Sequence, residues 1–194
     1  IFMCKINENC FYNKKKNRIT KNIFNQINLF SDGNILMWED YRNGESDIYM
    51  HDLNKNKEYP LVVDIKKQRK PSILFKSFIL WDSNKNISDD IYFKSIGNDL
   101  IPNTVDDSLE YVMAGSLSDE INPVVSKEAT PKIIVWESNK FNEGGLEGYD
   151  ILNQSFFEIN ISGINLESPS VYVKNIIFEG SENQKKYLFI ARCD

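Results

Sequence analysis

The chain has 194 residues, 41% of them hydrophobic, and a formal net charge of −5. This length suits one domain with a sizeable core, and the acidic balance argues against a nucleic-acid partner, whose phosphates require a basic surface. The longest apolar runs have the length of β-strands, well short of the roughly 18–20 residues that a membrane-spanning helix needs.

The pattern of the first 25 residues predicts that they form the back half of a repeated unit whose front half is missing. An alternating strand at Ile1–Ile6 precedes a polar turn and a basic stretch at 14–18, in the same order as at Asp47–Val62. We interpret the basic stretch as a solvated turn or edge rather than a binding patch. Because the chain begins at Ile1, we expect a fragment or a processed product, so a missing signal peptide says nothing about targeting.

The stretch Gly33–Leu53 is the clearest unit of the chain. A strand at Asn34–Glu39 precedes a polar turn at Asp40–Ser46, and a second alternating strand follows at Asp47–Leu53. The turn contains an Asn-Gly step, and these two residue types accept the positive φ that tight hairpins need. We therefore predict a β-hairpin, with weaker copies at Phe78–Ile96, Lys132–Leu152 and Asn175–Arg192.

A leading strand precedes each hairpin, and three of the four begin with proline: Ile27–Ser31, Pro71–Phe75, Pro123–Ser126 and Pro169–Val173. An aromatic residue then ends the next strand, at spacings of 43, 55 and 42 residues: Trp38, Trp81, Trp136 and Phe178. Four short strands in about 40–50 residues are typical of a β-propeller blade. One such sheet cannot bury both faces, so blades stack and the aromatic fills the space between them.

We therefore predict one all-β propeller domain over residues 1–194, with four-stranded antiparallel blades at about 27–63, 71–105, 123–161 and 169–194. The fourth strand of the second blade is expected at Leu100–Val105, with an insertion at 106–120 between the blades. Residues 1–25 would complete the last blade.

Two ring architectures remain open. In one, four blades close a small ring and the N-terminal strands clasp the last blade. In the other, the chain is an excerpt of a larger propeller, completed by missing blades or by another chain. The repeats supply one strand more than a closed ring of four needs, which favours the excerpt or a degraded small propeller.

The stretch ILMWEDYRNGESDIYMHDL, together with KIIVWES and SPSVYVKNIIFEGS, resembles the TolB-type propeller repeats, in the W-E-D-x-R-N-G-x-x-D-I-Y form of surface and secreted proteins. The resemblance covers about residues 27–194 and fades in the third and fourth units. It implies a non-enzymatic module that binds or scaffolds a protein or glycan in an extracellular or cell-envelope location. It also implies structural roles for the recurring positions Trp38, Trp81, Trp136, Phe178, Asp40, Arg42, Asn43 and Asp47.

The turns between the second and third strands are rich in oxygen-bearing side chains. In the second unit these are calcium-ligand candidates: Asp82, Asn84, Asn86 and Asp89. The EF-hand pattern is not met, because its Gly and Glu are absent, and Asp and Asn also cap tight turns. We interpret these residues as groups that cap and stabilise the turns, and we expect no cofactor. The alternative is that they bind calcium. Arg42 is interpreted in the same way, with ligand capture as its alternative.

No catalytic site is expected. His51 is the only histidine, lies in an alternating strand and has no Gly-x-Ser-x-Gly motif to serve. Four carboxylates, Glu39, Asp40, Glu137 and Glu179, are interpreted as recurring at one blade position, which favours a structural role over the paired acids of a glycosidase. The alternatives are a propeller domain of a larger hydrolase of the prolyl-oligopeptidase type, a propeller glycosidase, or a purely structural array module.

Three cysteines lie near the chain ends: Cys4, Cys10 and Cys193. Their odd number and irregular spacing indicate neither a zinc site nor a disulfide framework. We interpret them as reduced small hydrophobes; the alternative is a bridge from Cys193 to Cys4 or Cys10 in an oxidising compartment. The sequons at Asn86, Asn153 and Asn160 are acceptors for glycosylation only if the chain is secreted.

Overall fold

The computed structural model describes residues 1–3, 17–126 and 133–192. Within these ranges the chain forms β-strands and no helix, which confirms the predicted all-β class. It follows that no helix in the described ranges is long and apolar enough to cross a membrane. All three cysteines lie outside the described residues, so both interpretations of them stay predictions.

The described residues form seventeen strands in five antiparallel sheets. A two-stranded ribbon consists of β1 (Phe2–Met3) and β2 (Asn17–Arg18). Blade 1 consists of β3 (Gln26–Asp32), β4 (Ile35–Asn43), β5 (Glu45–Asp52) and β6 (Lys57–Val62). Blade 2 consists of β7 (Gln68–Leu74), β8 (Phe78–Ser83), β9 (Asp90–Ser95) and β10 (Tyr111–Ala114). Blade 3 consists of β11 (Glu120–Val125), β12 (Ile133–Ser138), β13 (Gly145–Asp150) and β14 (Ser155–Ile159). Blade 4 has three strands, β15 (Asn165–Tyr172), β16 (Asn175–Glu182) and β17 (Lys185–Arg192).

The blades stack in chain order, and their first strands converge. Strand β7 packs against blade 1, β11 against blade 2 and β15 against blade 3. Contacts also join β3 to β7, β7 to β11 and β11 to β15, so the four first strands form an inner layer. This is the arrangement of a propeller, in which each sheet buries its faces against its neighbours.

The recurring aromatics fill the space between neighbouring blades, each on the side that faces the preceding sheet. Trp81 packs with Met37 and Met50 of blade 1, and Trp136 packs with Leu80 of blade 2. Phe178 does the same against blade 3, and all three aromatic side chains are buried. Burying such a side chain stabilises the fold by about 2–3 kcal/mol, so these residues are the main apolar contacts between blades.

Every inner strand carries a β-bulge at the same place. The pairing register with the second strand shifts between Ile27 and Phe30 in blade 1, and at matching places in the other three blades. The residue in the bulge has a positive φ in each blade: Asn28 (51°), Lys70 (50°), Asn122 (56°) and Ser168 (55°). A left-handed backbone at four non-glycine residues is costly, so the surrounding contacts must hold it.

The fourth strand of blade 2 does not lie where the sequence predicts it. The prediction of a strand at Leu100–Val105 is wrong, because this segment forms turns and the strand is β10, inside the predicted insertion. Pro102 lacks a backbone donor, and Asp106 accepts the Asn98 N–H at 2.8 Å, which folds the segment back on itself. The extra residues therefore lie between the third and fourth strands of blade 2, not between blades 2 and 3.

The N-terminal strands do not complete the last blade, so the predicted clasp is also wrong for the described residues. Among the described strands, β1 and β2 of the ribbon pair with each other alone, and Ile1 and Ile19 pack on Trp38 of blade 1. The N-terminal ammonium donates to Thr20 Oγ1 at 2.6 Å and to Gln26 Oε1 at 3.3 Å, which holds the ribbon against blade 1. The ribbon thus covers part of the face that a preceding blade would cover.

Candidate functional site

The candidate site is a cleft of about 380 Å³ where the four inner strands converge. We call it the inner cleft, and it is lined by residues 28–30, 70–72, 122–125 and 168–171 together with Glu137. Every blade contributes to it through the segment that contains its bulge. The repeat therefore supplies the corresponding segment four times, with Asn28, Lys70, Asn122 and Ser168 at the bulge position.

The walls of the inner cleft are apolar and its rim is polar. Prolines follow the bulge in blades 2, 3 and 4, at Pro71, Pro123 and Pro169, and Leu29 takes this place in blade 1. The rim consists of the bulge residues themselves: Asn28, Lys70, Asn122 and Ser168. Apolar walls with a few convergent polar groups are typical of ligand sites.

A hydrogen bond to the preceding blade fixes the bulges of blades 2, 3 and 4, and we call it the inter-blade staple. The carboxylate that follows the recurring aromatic accepts the backbone N–H of the bulge residue in the next blade. Glu39 Oε1 accepts from Lys70 N at 2.9 Å. The two other staples join Asp82 Oδ2 to Asn122 N at 3.1 Å and Glu137 Oε1 to Ser168 N at 2.8 Å. Charge-assisted bonds of this kind are stronger than neutral ones, so they hold the left-handed backbone in place.

Two rim side chains strengthen the staples from within their own blade. Asn28 Nδ2 donates to Glu39 Oε1 at 2.6 Å, and Asn122 Nδ2 donates to Glu137 Oε1 at 2.8 Å. Lys70 is exposed, and its ammonium has one long contact, 3.4 Å to Asn28 Oδ1. Among the described residues that line the inner cleft, Lys70 is the one cation. It is therefore the rim group best placed to meet an incoming polar ligand.

The most conspicuous motif of the sequence forms a network of hydrogen bonds and ion pairs at the turn between β4 and β5 of blade 1. Asp40 accepts the Trp38 indole N–H at 2.9 Å and two guanidinium bonds from Arg42, at 2.9 and 2.6 Å. Burial works against the charge of Asp40, but the bonds from Arg42 and Trp38 outweigh it and hold the pKa of this carboxyl below its usual value. The same ion pair raises the pKa of Arg42.

The rest of this turn network occupies the remaining polar groups. Arg42 also bonds Glu58 at 2.8 Å and lies 3.8 Å from the centre of the Tyr49 ring. Asn43 Nδ2 donates to Asp47 Oδ2 at 2.7 Å, and Asp47 Oδ1 accepts the backbone N–H of residue 64 at 3.0 Å. Because the Nε and both terminal nitrogens of Arg42 are bonded to Asp40 and Glu58, its geometry is that of a residue that stabilises the turn.

Each calcium-ligand candidate of blade 2 is bonded to another group of the protein. Asp82 and Asp89 share Arg69, at 2.7 Å each. Asn84 Oδ1 accepts the backbone N–H of residue 67, and Asn86 Nδ2 donates to Asp90 and to the Tyr92 hydroxyl. The described ranges contain no group of three or more His, Cys, Asp or Glu side chains arranged to hold a metal.

The environment of Asp82 differs from that of Asp40. Burial raises the pKa of Asp82 to about 6, against the opposing effects of Arg69 and of the Asn122 N–H. Asp82 is a staple acceptor, whereas Asp40 accepts two guanidinium bonds and an indole N–H. Relative to the usual value, the pKa of Asp82 is therefore raised and that of Asp40 is lowered.

The side chains considered for catalysis lie apart from the inner cleft or are already bonded. His51 is buried in β5, and its ring nitrogens have no hydrogen-bond partner among the described residues. Glu39 and Glu137 are staple acceptors. The interpretation that Glu39 and Asp40 share one blade position needs correction, because the pairing register places Glu39, Asp82, Glu137 and Glu179 together and Asp40 one residue later, on the opposite face.

The rim residues were not singled out from the sequence. One signal was available: Lys70, Asn122 and Ser168 each precede the proline that begins a repeat. A residue before proline is restricted in its backbone, but this restriction favours extended geometry and does not predict a left-handed bulge.

No protein-family profile and no curated protein matches the sequence. Solved structures do match it. TolB from Acinetobacter baumannii is similar with a TM-score of 0.68 and 13% identity, over 92% of this chain and 44% of that one. A puromycin-hydrolyzing peptidase from Mycobacterium tuberculosis matches with a TM-score of 0.70 and 6% identity, over 91% of this chain and 28% of that one. A putative TolB from Agrobacterium tumefaciens matches with a TM-score of 0.58 and 13% identity, over 92% and 62% of the two chains.

These similarities concern the fold. The chain spans less than two thirds of the length of each of these three proteins. At such low identity a shared fold carries no shared activity. The chain is thus an all-β protein of propeller type, whose blades are similar to those of TolB structures.

Proposed function

We propose that the chain is a non-enzymatic binding module that holds a segment of a protein or glycan partner in the inner cleft. The observation that carries this proposal is the rim: four bulge residues, one from each blade, converge on one cleft, and a neighbouring blade fixes the backbone of three of them. A binding site gains affinity when its groups need no ordering on binding.

Because the staples use backbone N–H groups, the rim side chains of Lys70 and Ser168 remain available to bind a partner. Both residues are exposed, and the bonds that fix them involve their backbone N–H groups. Leu29, which is exposed, offers an apolar contact to a sugar ring or an aliphatic side chain. A partner with hydrogen-bonding groups on an apolar framework fits this combination.

We also assign the chain to the surface and secreted form of the TolB-type repeats, with the cell surface or envelope as its place of action. The motif at Trp38–Leu53 supports this assignment, together with the similarity of fold to TolB structures.

The proposal is tested by screening the chain against arrays of immobilised glycans and peptides, and by measuring Kd for the best ligand. Lys70→Glu should weaken binding at least about tenfold, because it reverses the one cation of the rim. Lys66→Glu, an exposed lysine outside the cleft, is the matched control and should leave Kd unchanged. Equal loss in both variants, or no ligand at all, would contradict the proposal.

A second candidate is the propeller domain of a larger hydrolase, favoured by the peptidase that this chain matches over only 28% of that protein. In that case the cleft should admit short peptides and retain neither folded proteins nor glycans. Arrays that also carry folded proteins separate the two candidates. Glycan or folded-protein binding supports the stand-alone binding module, and binding confined to short peptides supports the hydrolase domain.

A further inference from the structure

A second cleft, of about 590 Å³, lies between the ribbon and the outer strands of blade 1, and we call it the ribbon cleft. One wall comes from the end of the ribbon and the segment that follows it. The other comes from β4, β5, β6 and the turn that joins the last two. The ribbon cleft shares no described residue with the inner cleft. Its volume is that of a site for a small ligand.

His51 is a buried polar side chain that lines this cleft. It pairs across the sheet with Leu36 and with Glu58, so it lies on the face of blade 1 that the ribbon covers. The residue is 4% exposed, and neither ring nitrogen has a hydrogen-bond partner among the described residues. A buried imidazole without a partner costs free energy that an apolar side chain at this place would not cost. The two nitrogens therefore call for a group that bonds them from within the cleft.

Two cations on the opposite wall have donors to spare. Lys21 is exposed, and no described group pairs with its ammonium. The Arg18 guanidinium is held by backbone carbonyls, because Nε donates to Thr20 O at 2.6 Å and Nη2 donates to Asn22 O at 3.0 Å. Its Nη1 has no hydrogen-bond partner in the described part of the chain. Arg18 is thus fixed in place with one nitrogen unused, and such a group needs little ordering when a ligand binds.

The other charges beside the cleft are bonded to one another. Arg42 donates from Nη1 to Glu58 at 2.8 Å and from Nε and Nη2 to Asp40, so it has no nitrogen left for a ligand. Counted together, the three arginine and lysine cations outnumber the two carboxylates. The ribbon cleft therefore carries an excess of positive charge next to a buried imidazole, which offers an N–H donor in either of its neutral forms.

We propose that the ribbon cleft binds an oxyanion, namely a phosphate or sulfate group that is free or carried by a small polar molecule. Arg18 and Lys21 donate charge-assisted hydrogen bonds to it from the ribbon wall, and His51 donates from the blade wall. Donors on two facing walls suit a tetrahedral group with three or four oxygens better than a flat carboxylate with two. This site is independent of the partner proposed for the inner cleft.

The single histidine of the sequence provides a direct probe, because the ring protons of His51 are identified in an NMR spectrum without further assignment. At constant pH, inorganic phosphate, inorganic sulfate and glucose 6-phosphate should each shift these signals with a Kd of about 1 mM or lower. Glucose should leave them unchanged. Equal Kd values for phosphate and glucose 6-phosphate would show recognition of the ion alone, and a lower Kd for the ester would show that the attached group is held too. Signals that none of the three anions shifts would overturn the proposal.

A matched pair of lysine variants tests the charge at the site. Lys21→Gln should weaken phosphate binding about tenfold, measured from the His51 signals at constant ionic strength. Lys66→Gln removes an exposed lysine outside the ribbon cleft and should bind phosphate like the wild type. Equal weakening in the two variants would indicate a general effect of net charge and would overturn the site.

His51→Phe tests the imidazole apart from the cations. The variant should bind phosphate at least about tenfold more weakly by calorimetry. Without phosphate it should be as stable as the wild type or more so, because it lacks the two unpaired buried nitrogens. Phosphate should raise the urea midpoint of the wild type, and this gain should vanish in the variant. A variant that keeps the gain would show that His51 only fills the core, and it would overturn the assignment of His51 as a ligand-binding residue.

Discussion

Blades 1 and 3 share one architecture but differ in how their tryptophans are satisfied. Trp38 and Trp136 both face the preceding sheet and are buried. The Trp38 N–H donates to Asp40, which Arg42 holds in turn. The Trp136 N–H has no partner among the described residues, and Ser138 takes the place of Asp40.

Blade 2 lies between these extremes. The Trp81 N–H donates to Gln68 at 2.7 Å, a residue on the inner strand rather than in the turn. Glu120 holds the corresponding place in blade 3, and its Oε2 is unpaired while Oε1 accepts from Ser116. All three blades bury the tryptophan, whereas the polar groups that surround its N–H differ from one blade to the next.

The largest expected effect comes from breaking the blade 1 network at its centre. Asp40→Ala should lower the free energy of unfolding by about 3 kcal/mol, because it leaves Arg42 and the Trp38 N–H without their shared acceptor. The matched change in blade 3, Ser138→Ala, should cost about 1 kcal/mol or less. Urea titration of both variants measures the difference, and equal losses would show that the network adds nothing to the blade.

A second comparison removes only the indole donor. Trp38→Phe should cost about 2 kcal/mol, from the lost bond to Asp40 and the reduced packing volume. Trp136→Phe should cost about 1 kcal/mol, because the N–H that it removes is already unpaired. Thermal and urea unfolding of the pair provide the measurement; a larger cost in blade 3 would contradict the account.

A third comparison is the pH dependence of the two buried aspartates. The pKa of Asp82 is about 6 in the fold, against about 3.9 when unfolded, so the native state binds the extra proton and stability falls as pH rises from about 4 to 6. A difference of about two pKa units corresponds to about 3 kcal/mol over this range. The pKa of Asp40 is lowered, so its stabilisation is present above pH 4 and is lost as pH falls through the lowered pKa.

Stability profiles between pH 2 and 8 for Asp82→Asn and Asp40→Asn separate the two. The first should flatten the profile between about pH 4 and 6, and the second should flatten it below about pH 4. A slope between pH 4 and 6 that survives Asp82→Asn would assign it to another group.

The sequence predicts the blades because their determinants are local and repeated. Alternating strands and an aromatic at a fixed place identify β4, β8, β12 and β16, and the propeller class follows from the repeat. The fourth strand of blade 2 was misplaced because a strand at Tyr111–Ala114 pairs with β9 across a long insertion, and nothing in the local pattern indicates that distance.

The candidate site was less accessible to sequence reasoning. The recurrence of carboxylates at Glu39, Glu137 and Glu179 was visible, but their partners are backbone N–H groups of the next blade. A backbone donor leaves no trace in the sequence. The left-handed bulge residues Asn28, Lys70, Asn122 and Ser168 belong to three residue types, so only the structure brings them together.

The staple has a consequence for how such a protein can diversify. Since it recognises the peptide group and not the side chain, a substitution at Lys70 or Ser168 leaves the joint between blades intact. These two cleft positions can therefore vary without loosening the contact between blades. The residues that line the inner cleft can change one blade at a time while the scaffold stays the same.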